Sequence, residues 1–150
     1  MENRSERLNT LLVQLFNDIL HIEEKVLKNS EFKDLSITEM HTIDAIGTKG
    51  SRTMGKIAHD LRITMGTLTS AINRLIKKGY VERSRTEADR RVVLVSLTEK
   101  GLQAYKIHDD FHKEMVEVTL NYYNEEEQEL LYKILENVNK FFEKKYEGLQ

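Results

Sequence analysis

The chain has 150 residues, 39% hydrophobic and 32% charged, enough for one domain with a sizeable core, and no run approaches the ~18 consecutive apolar residues of a membrane span. It lacks cysteine, which excludes disulfides, thiolate nucleophiles and thiol-based oxidant sensing. The net charge of −2 argues against a nucleic-acid binder only until it is divided, because residues 51–100 hold 11 Lys/Arg against 5 Asp/Glu between two acidic flanks, a local surplus that gives phosphate affinity whatever the total.

The opening MENRSERLNT has no continuous apolar core of the signal-peptide kind, so a cytoplasmic location is expected. Leu8, Leu11, Leu12, Leu15, Phe16, Ile19 and Leu20 recur at helical spacing and predict one long amphipathic helix to about Lys28. Ser36 followed by Glu39 is a capping box for a second helix, closed by Gly47. TKGSR is a turn, and Thr53 caps a short helix with Ile57, Ala58 and Leu61 on its apolar side. Thr64 caps the next helix, with Ile63 and Leu68 at the spacing of a hydrophobic staple. Its buried stripe is Leu68, Ile72, Leu75 and Ile76, with Lys77 and Lys78 in the last turn and Gly79 beyond it. The runs 80–84 and 92–97 are β-rich and flank the charged loop RTEADRR, a hairpin signal. Thr98 caps another long helix to about Val118. Leu130, Leu131, Ile134, Leu135, Val138, Phe141 and Phe142 mark a terminal helix, before which Glu125, Glu126 and Glu127 sit favourably for its N-terminus. With no proline, repeat or linker, the reading is a single domain, 1–150. It has a winged core at about 36–98 and dimerisation helices at about 5–29 and 98–146.

A short helix, a three-residue turn and a capped second helix form a helix-turn-helix. Opposite the buried stripe of the second helix stand Gly66, Thr69, Ser70, Asn73, Arg74 and Lys77, with Thr67 at the border. Small hydroxyl residues permit close approach to the major groove, and Asn and Arg read base edges bidentately. Arg52 and Thr53, at the end of the preceding turn, join the candidate DNA contacts. A solvated helix face is the alternative for this helix alone. The hairpin that follows weighs against it: Arg85, Arg90 and Arg91 protrude in a loop suited to the minor groove, and Asp89 is placed to orient the Arg91 guanidinium.

Residues 68–101, LTSAINRLIKKGYVERSRTEADRRVVLVSLTEKG, resemble the MarR family of bacterial regulators through Leu75, Gly79, Arg83, Asp89, Arg91, Leu97, Thr98 and Gly101. The resemblance extends over the whole chain in helix order. It implies a mainly α, six-helix winged helix-turn-helix fold with a small β-hairpin wing. It also implies an intertwined homodimer on a pseudo-palindromic double-stranded operator, with Arg91 as the minor-groove residue. The long apolar stripes of the terminal helices want a partner on their own account. FNDILHIEE, FKDLSITEMHTIDAIG and HDDFHKEMVE are similar to FabT-type repressors of fatty-acid synthesis. That similarity implies acyl–acyl carrier protein as corepressor, no required cofactor, and an apolar effector pocket for which Phe16, Ile19, Leu20, Met40 and Ile43 are candidates; ordinary core packing is the alternative for all five.

His108 and His112 are i, i+4 on one helix and face the same way. With Glu24 and His41 they resemble the ligands of zinc-sensing MarR repressors of streptococci and lactococci, which makes zinc the competing effector. Polar packing explains the same four residues. No Gly-rich phosphate loop, cysteine nucleophile or serine elbow is present, so catalysis is not expected. A protein-interaction module that binds no DNA would not need the basic wing.

Overall fold

The computed structural model describes residues 3–149. Six helices and three short strands follow one another as α1 (Arg4–Lys28), α2 (Ile37–Ile46), β1 (Arg52–Thr53), α3 (Met54–Leu61), α4 (Met65–Lys78), β2 (Val81–Arg85), β3 (Val93–Leu97), α5 (Glu99–Leu120) and α6 (Glu125–Glu147). The chain divides into two compact units, Met1–Phe111 and His112–Gln150. The whole winged core that the sequence places at about 36–98 falls in the first unit. Among the described residues no helix is long and apolar enough to cross a membrane.

Local chemistry sets the helix ends. Ser36 Oγ accepts the Glu39 N–H at 3.1 Å while the Glu39 carboxylate takes the Ser36 N–H at 3.0 Å, so two otherwise orphaned donors are satisfied. Thr64 Oγ1 accepts the Thr67 N–H at 3.2 Å, and Gly79 closes α4 at φ 85°, in the left-handed region. Between α3 and α4 lie three residues, beginning with Arg62 at φ 54°. The three glutamates expected before the terminal helix form its first turn instead, behind an Asn124 capping box.

The core is a single cluster. Ile43, Ile46, Ile57, Leu68, Ile72, Leu75, Tyr80 and Val95 are all at most 1% exposed and gather α2, α3, α4 and the sheet. Ile63 and Leu68, the expected staple pair, both join it. Ile76 does not: it is 36% exposed, and Ala71 takes its place on the buried face of α4. The sheet order is β1-β3-β2, antiparallel throughout, with Arg83 opposite Val95 and Arg85 opposite Val93. The two-residue strand β1, read from sequence as part of a turn, pairs Arg52 with Val95 and Thr53 with Leu94.

One junction ties the start of α5 to the end of α4. Thr98 donates its N–H to the Tyr80 carbonyl at 3.0 Å and its hydroxyl to the Gly79 carbonyl at 2.6 Å. The same hydroxyl accepts the Gly101 N–H at 3.2 Å. A Cβ on Gly101 would stand 2.1 Å from the Tyr80 carbonyl oxygen, so only glycine permits this approach.

Candidate nucleic-acid interface

α4 buries Leu68, Ala71, Ile72 and Leu75 and leaves Gly66, Thr67, Thr69, Ser70, Asn73, Arg74 and Lys77 exposed. These exposed positions are the ones expected to face DNA, but the structure sorts them. Thr69 donates its hydroxyl back to the Met65 carbonyl at 2.8 Å, which leaves it an acceptor. Thr67 shares its hydroxyl with Thr64 at 2.9 Å. Asn73 Oδ1 accepts from Arg83 Nη2 at 2.6 Å. Arg74 points its Nε at Glu39, 3.5 Å away.

Glu39 explains that last contact, which leaves Arg74 58% exposed. Its carboxylate is 5% exposed and meets Lys78 Nζ at 2.7 Å as well as Arg74. Burial pushes its pKa up, but the Lys78 hydrogen bond, the Ser36 N–H and the two cations outweigh it and hold the carboxyl below its ordinary value. Lys78 also donates to the Asp34 carbonyl at 2.6 Å, and the Tyr80 hydroxyl donates to the Asp34 carboxylate at 2.5 Å. Burial first, then that hydrogen bond and the neighbouring acids, raise the Tyr80 pKa far above the usual phenol value. The C-terminal half of α4 is therefore bolted to the segment 34–39.

Arg52 is likewise engaged within the chain. Its guanidinium donates to the Ala45 carbonyl and to Asp60 at 2.6 Å, and this bond holds the Asp60 carboxyl below its usual range. Arg52 is a clip between α2 and α3 rather than an open cation. Thr53 is half-buried and spends its hydroxyl accepting the Lys56 N–H at the start of α3.

In the wing, Asp89, Arg90 and Arg91 are all exposed. The Asp89 carboxylate accepts the Arg91 backbone N–H at 2.9 Å, a local turn bond rather than the expected bond to the guanidinium. The Asp89 carbonyl accepts from the Thr86 hydroxyl at 2.7 Å and the Val92 N–H at 3.0 Å. Arg85 donates to the Arg90 carbonyl at 2.8 Å. The loop is thus cross-braced, which lowers the entropy lost when Arg90 and Arg91 engage a groove.

A concave surface joins these parts, lined by Thr53, Met65, Thr69, Arg83, Arg85 and Arg91 among others. Three arginines face the start of α4, where free N–H groups favour phosphate. Arg85 was expected with the wing loop, whereas Arg83 was absent from the expected contacts. Period-two alternation in VERSR, which puts both on one face of β2, is the signal that finds them.

Away from this surface, the first unit holds a polar cluster beside an apolar void. Glu23 Oε2 lies 3.1 Å from His41 Nε2, and Glu23 Oε1 lies 3.8 Å from His108 Nε2. Among the described residues these three form a group whose potential ligand atoms lie within 4.8 Å of one another. Metal–ligand bonds of about 2.0–2.2 Å from a tetrahedral ion place neighbouring donors roughly 3.3–3.6 Å apart, so the set fits a divalent ion with small adjustment. Of the expected quartet, His41 and His108 are in this group; Glu24 pairs with Lys28 at 2.8 Å, and its neighbour Glu23 turns inward. His112 belongs to the second unit and is outside the group.

The void is lined by Glu23, Val26, Leu27, Met40, Ile107, His108 and Phe111 and encloses about 10 Å³. Of the five expected pocket residues only Met40 lines it. Ile43 is fully buried in the main core, Phe16 is 63% exposed, and Ile19 and Leu20 are half-buried.

The profile of the MarR family matches residues 35–93. An uncharacterised HTH-type transcriptional regulator of Bacillus subtilis, YcgE, is 31% identical over 118 residues, 75% of this chain and 73% of its own length. FabT of Streptococcus pneumoniae, solved in complex with DNA, superposes with a TM-score of 0.87 at 45% identity, over 93% of this chain and 98% of that one. The chain belongs to the MarR family. It is a DNA-binding transcriptional regulator, with α3 and α4 as the helix-turn-helix and β2–β3 as the wing. The transcriptional regulator ZitR of Lactococcus lactis is 35% identical over 91 residues, 61% of this chain and 59% of that protein.

Proposed function

We propose that the chain is a homodimeric, cytoplasmic repressor of fatty-acid biosynthesis genes whose grip on a pseudo-palindromic operator is strengthened by long-chain acyl–acyl carrier protein. The 45% identity to S. pneumoniae FabT, end to end, carries this reading. Supporting it, Leu8, Leu11, Leu12, Leu15 and Phe16 of α1 are 46–63% exposed, as are Leu130, Ile134, Leu135, Phe141 and Phe142 of α6 at 50–59%. Apolar stripes of this extent want a second copy of the chain.

The void in the first unit is the natural entry for an acyl chain. At about 10 Å³ it sits at the lower limit for a single water, so a hydrocarbon enters only by parting the helices around it. Each methylene then buried contributes ~0.8 kcal/mol. A few suffice to favour one helix arrangement over another, which shifts the spacing of the two recognition helices. The test is a titration of operator binding with acylated and unacylated carrier protein at fixed salt. Tighter binding with the acylated form alone is expected, and equal curves would end the proposal. The DNA surface itself is tested by salt: with about four phosphates contacted per protomer, the log–log slope should be about −6 to −8.

The cluster of Glu23, His41 and His108 favours a second reading, a zinc-responsive repressor. Here zinc would tie α1, α2 and α5 together through those three side chains and fix the same helices that an acyl chain would spread. Zinc-dependent operator binding that is lost in His41→Ala with His108→Ala would promote this reading over the first.

A further inference from the structure

We propose that Arg83 is a positioning residue for base recognition, fixing the Asn73 amide so that α4 selects guanine over adenine at the base pair Asn73 meets. The proposal rests on α4 being the helix that enters the major groove.

Arg83 Nη2 donates to Asn73 Oδ1 at 2.6 Å. A guanidinium has donors and no acceptor, so the contact settles which end of the amide faces the wing: the carbonyl. The amide nitrogen, with two N–H donors, faces away. An asparagine that reads adenine uses both ends, donating to N7 while its oxygen accepts from the N6 amino group. Here one of that oxygen's two acceptor sites already holds a short charge-assisted bond to Arg83, which disfavours its use toward the N6 amino group. Guanine places two acceptors, N7 and O6, on the same edge, either of which can take an N–H of the amide without calling on its oxygen.

The other neighbours reinforce this assignment. Arg85, on the same face of β2, is held within its own loop by the Arg90 carbonyl, so it does not compete for Asn73. Arg74, adjacent to Asn73, is drawn to Glu39. Base selection at this position thus needs a strand of the wing as well as the helix.

The experiment selects operators from a randomised duplex library with the full-length protein, with Asn73→Ala, with Arg83→Met and with the double variant. Both side chains are exposed, so thermal melts should stay within about a degree or two of each other. The expected wild-type profile holds a guanine at one base pair, favoured over adenine by roughly five-fold or more. Asn73→Ala should erase that preference, Arg83→Met should erase it at the same base pair, and the double variant should lose no more. If Arg83→Met weakens every sequence equally, keeps the profile and lowers the salt slope by about one, Arg83 is a phosphate contact and the proposal is overturned. An unchanged profile in Asn73→Ala overturns it as well. A measurement without DNA checks the contact itself: Arg83→Met should shift the Asn73 side-chain amide resonances, and unmoved resonances refute the bond. If Thr69→Ala, Ser70→Ala and Asn73→Ala all leave the selected profile intact, α4 is not the reading helix, and that failure is told apart from a failure of Arg83 alone.

Discussion

Two helices of this chain make opposite use of similar amphipathic patterns. α4 has 14 residues and buries four of them, Leu68, Ala71, Ile72 and Leu75, against its own chain. α6 has 23 residues, with apolar positions at the same three- and four-residue spacing, and buries none. An apolar stripe that is finished within the chain makes a scaffold; one left open makes an interface. The regulator is divided along this line. What positions the exposed face of α4 is closed by Glu39, Lys78, Asp34 and Arg52, and the apolar face of α6 is left open.

The largest effect expected on the closed side comes from Gly101→Ala. Its new Cβ meets the Tyr80 carbonyl at 2.1 Å, backbone that cannot swing aside, and overpacking of this kind costs about 3 kcal/mol or more. A fall in melting temperature of at least ten degrees, or failure to fold, is expected; a melt within two degrees would show that the junction is pliable. On the open side, Ile134→Glu with Leu135→Glu should break self-association and leave the winged core folded. Sedimentation should report a monomer with native-like helix content, and DNA affinity should fall as the second recognition helix is lost. A still-dimeric double variant would move the interface elsewhere.

The smallest effect is a test by pH. Because its cationic neighbours and hydrogen bonds hold the Glu39 pKa in the folded chain below its ordinary value of 4.5, its ionisation stabilises the fold above that value. The contribution is lost as pH falls through the folded pKa. Glu39→Gln should therefore cost about 1–2 kcal/mol at pH 7 and flatten the decline of stability below pH 4.5, measured by urea melts across that range. Parallel curves for the two proteins would remove Glu39 as the anchor of α4.

Sequence revealed what depends on near neighbours. The caps at Ser36, Thr64 and Gly79, the three-residue turn and the hairpin all rest on contacts within a few positions, and each is where local chemistry puts it. Side-chain contacts made only when separate elements come together were not legible. Arg74 meets Glu39, 35 positions away, and Arg52 meets the Ala45 carbonyl and Asp60, contacts that arise only once α2, α3 and α4 pack together. Glu24 and Glu23 differ by 100° of helix, and only packing decides between them. Leu20, Glu23 and Leu27 share three- and four-residue spacing, a stripe that points to Glu23 once the polar member is allowed into it. The open face of α6 was legible because nothing in the chain was needed to interpret it.

The junction of Thr98, Gly101 and Tyr80 makes α5 a crank as well as a strut. Ile107, His108 and Phe111, the α5 residues lining the void, lie ~9–15 Å along the helix axis from Gly101. A roll of α5 by about ten degrees moves a backbone atom at the junction by only ~0.4 Å, since its Cα atoms lie ~2.3 Å from the axis. A tilt of the same size, pivoting on the junction, swings the cavity-lining residues by ~2 Å. Leaning of α5 is thus amplified with distance from the elbow while rolling is not, so the void lined by its residues changes shape more by a tilt than by a turn.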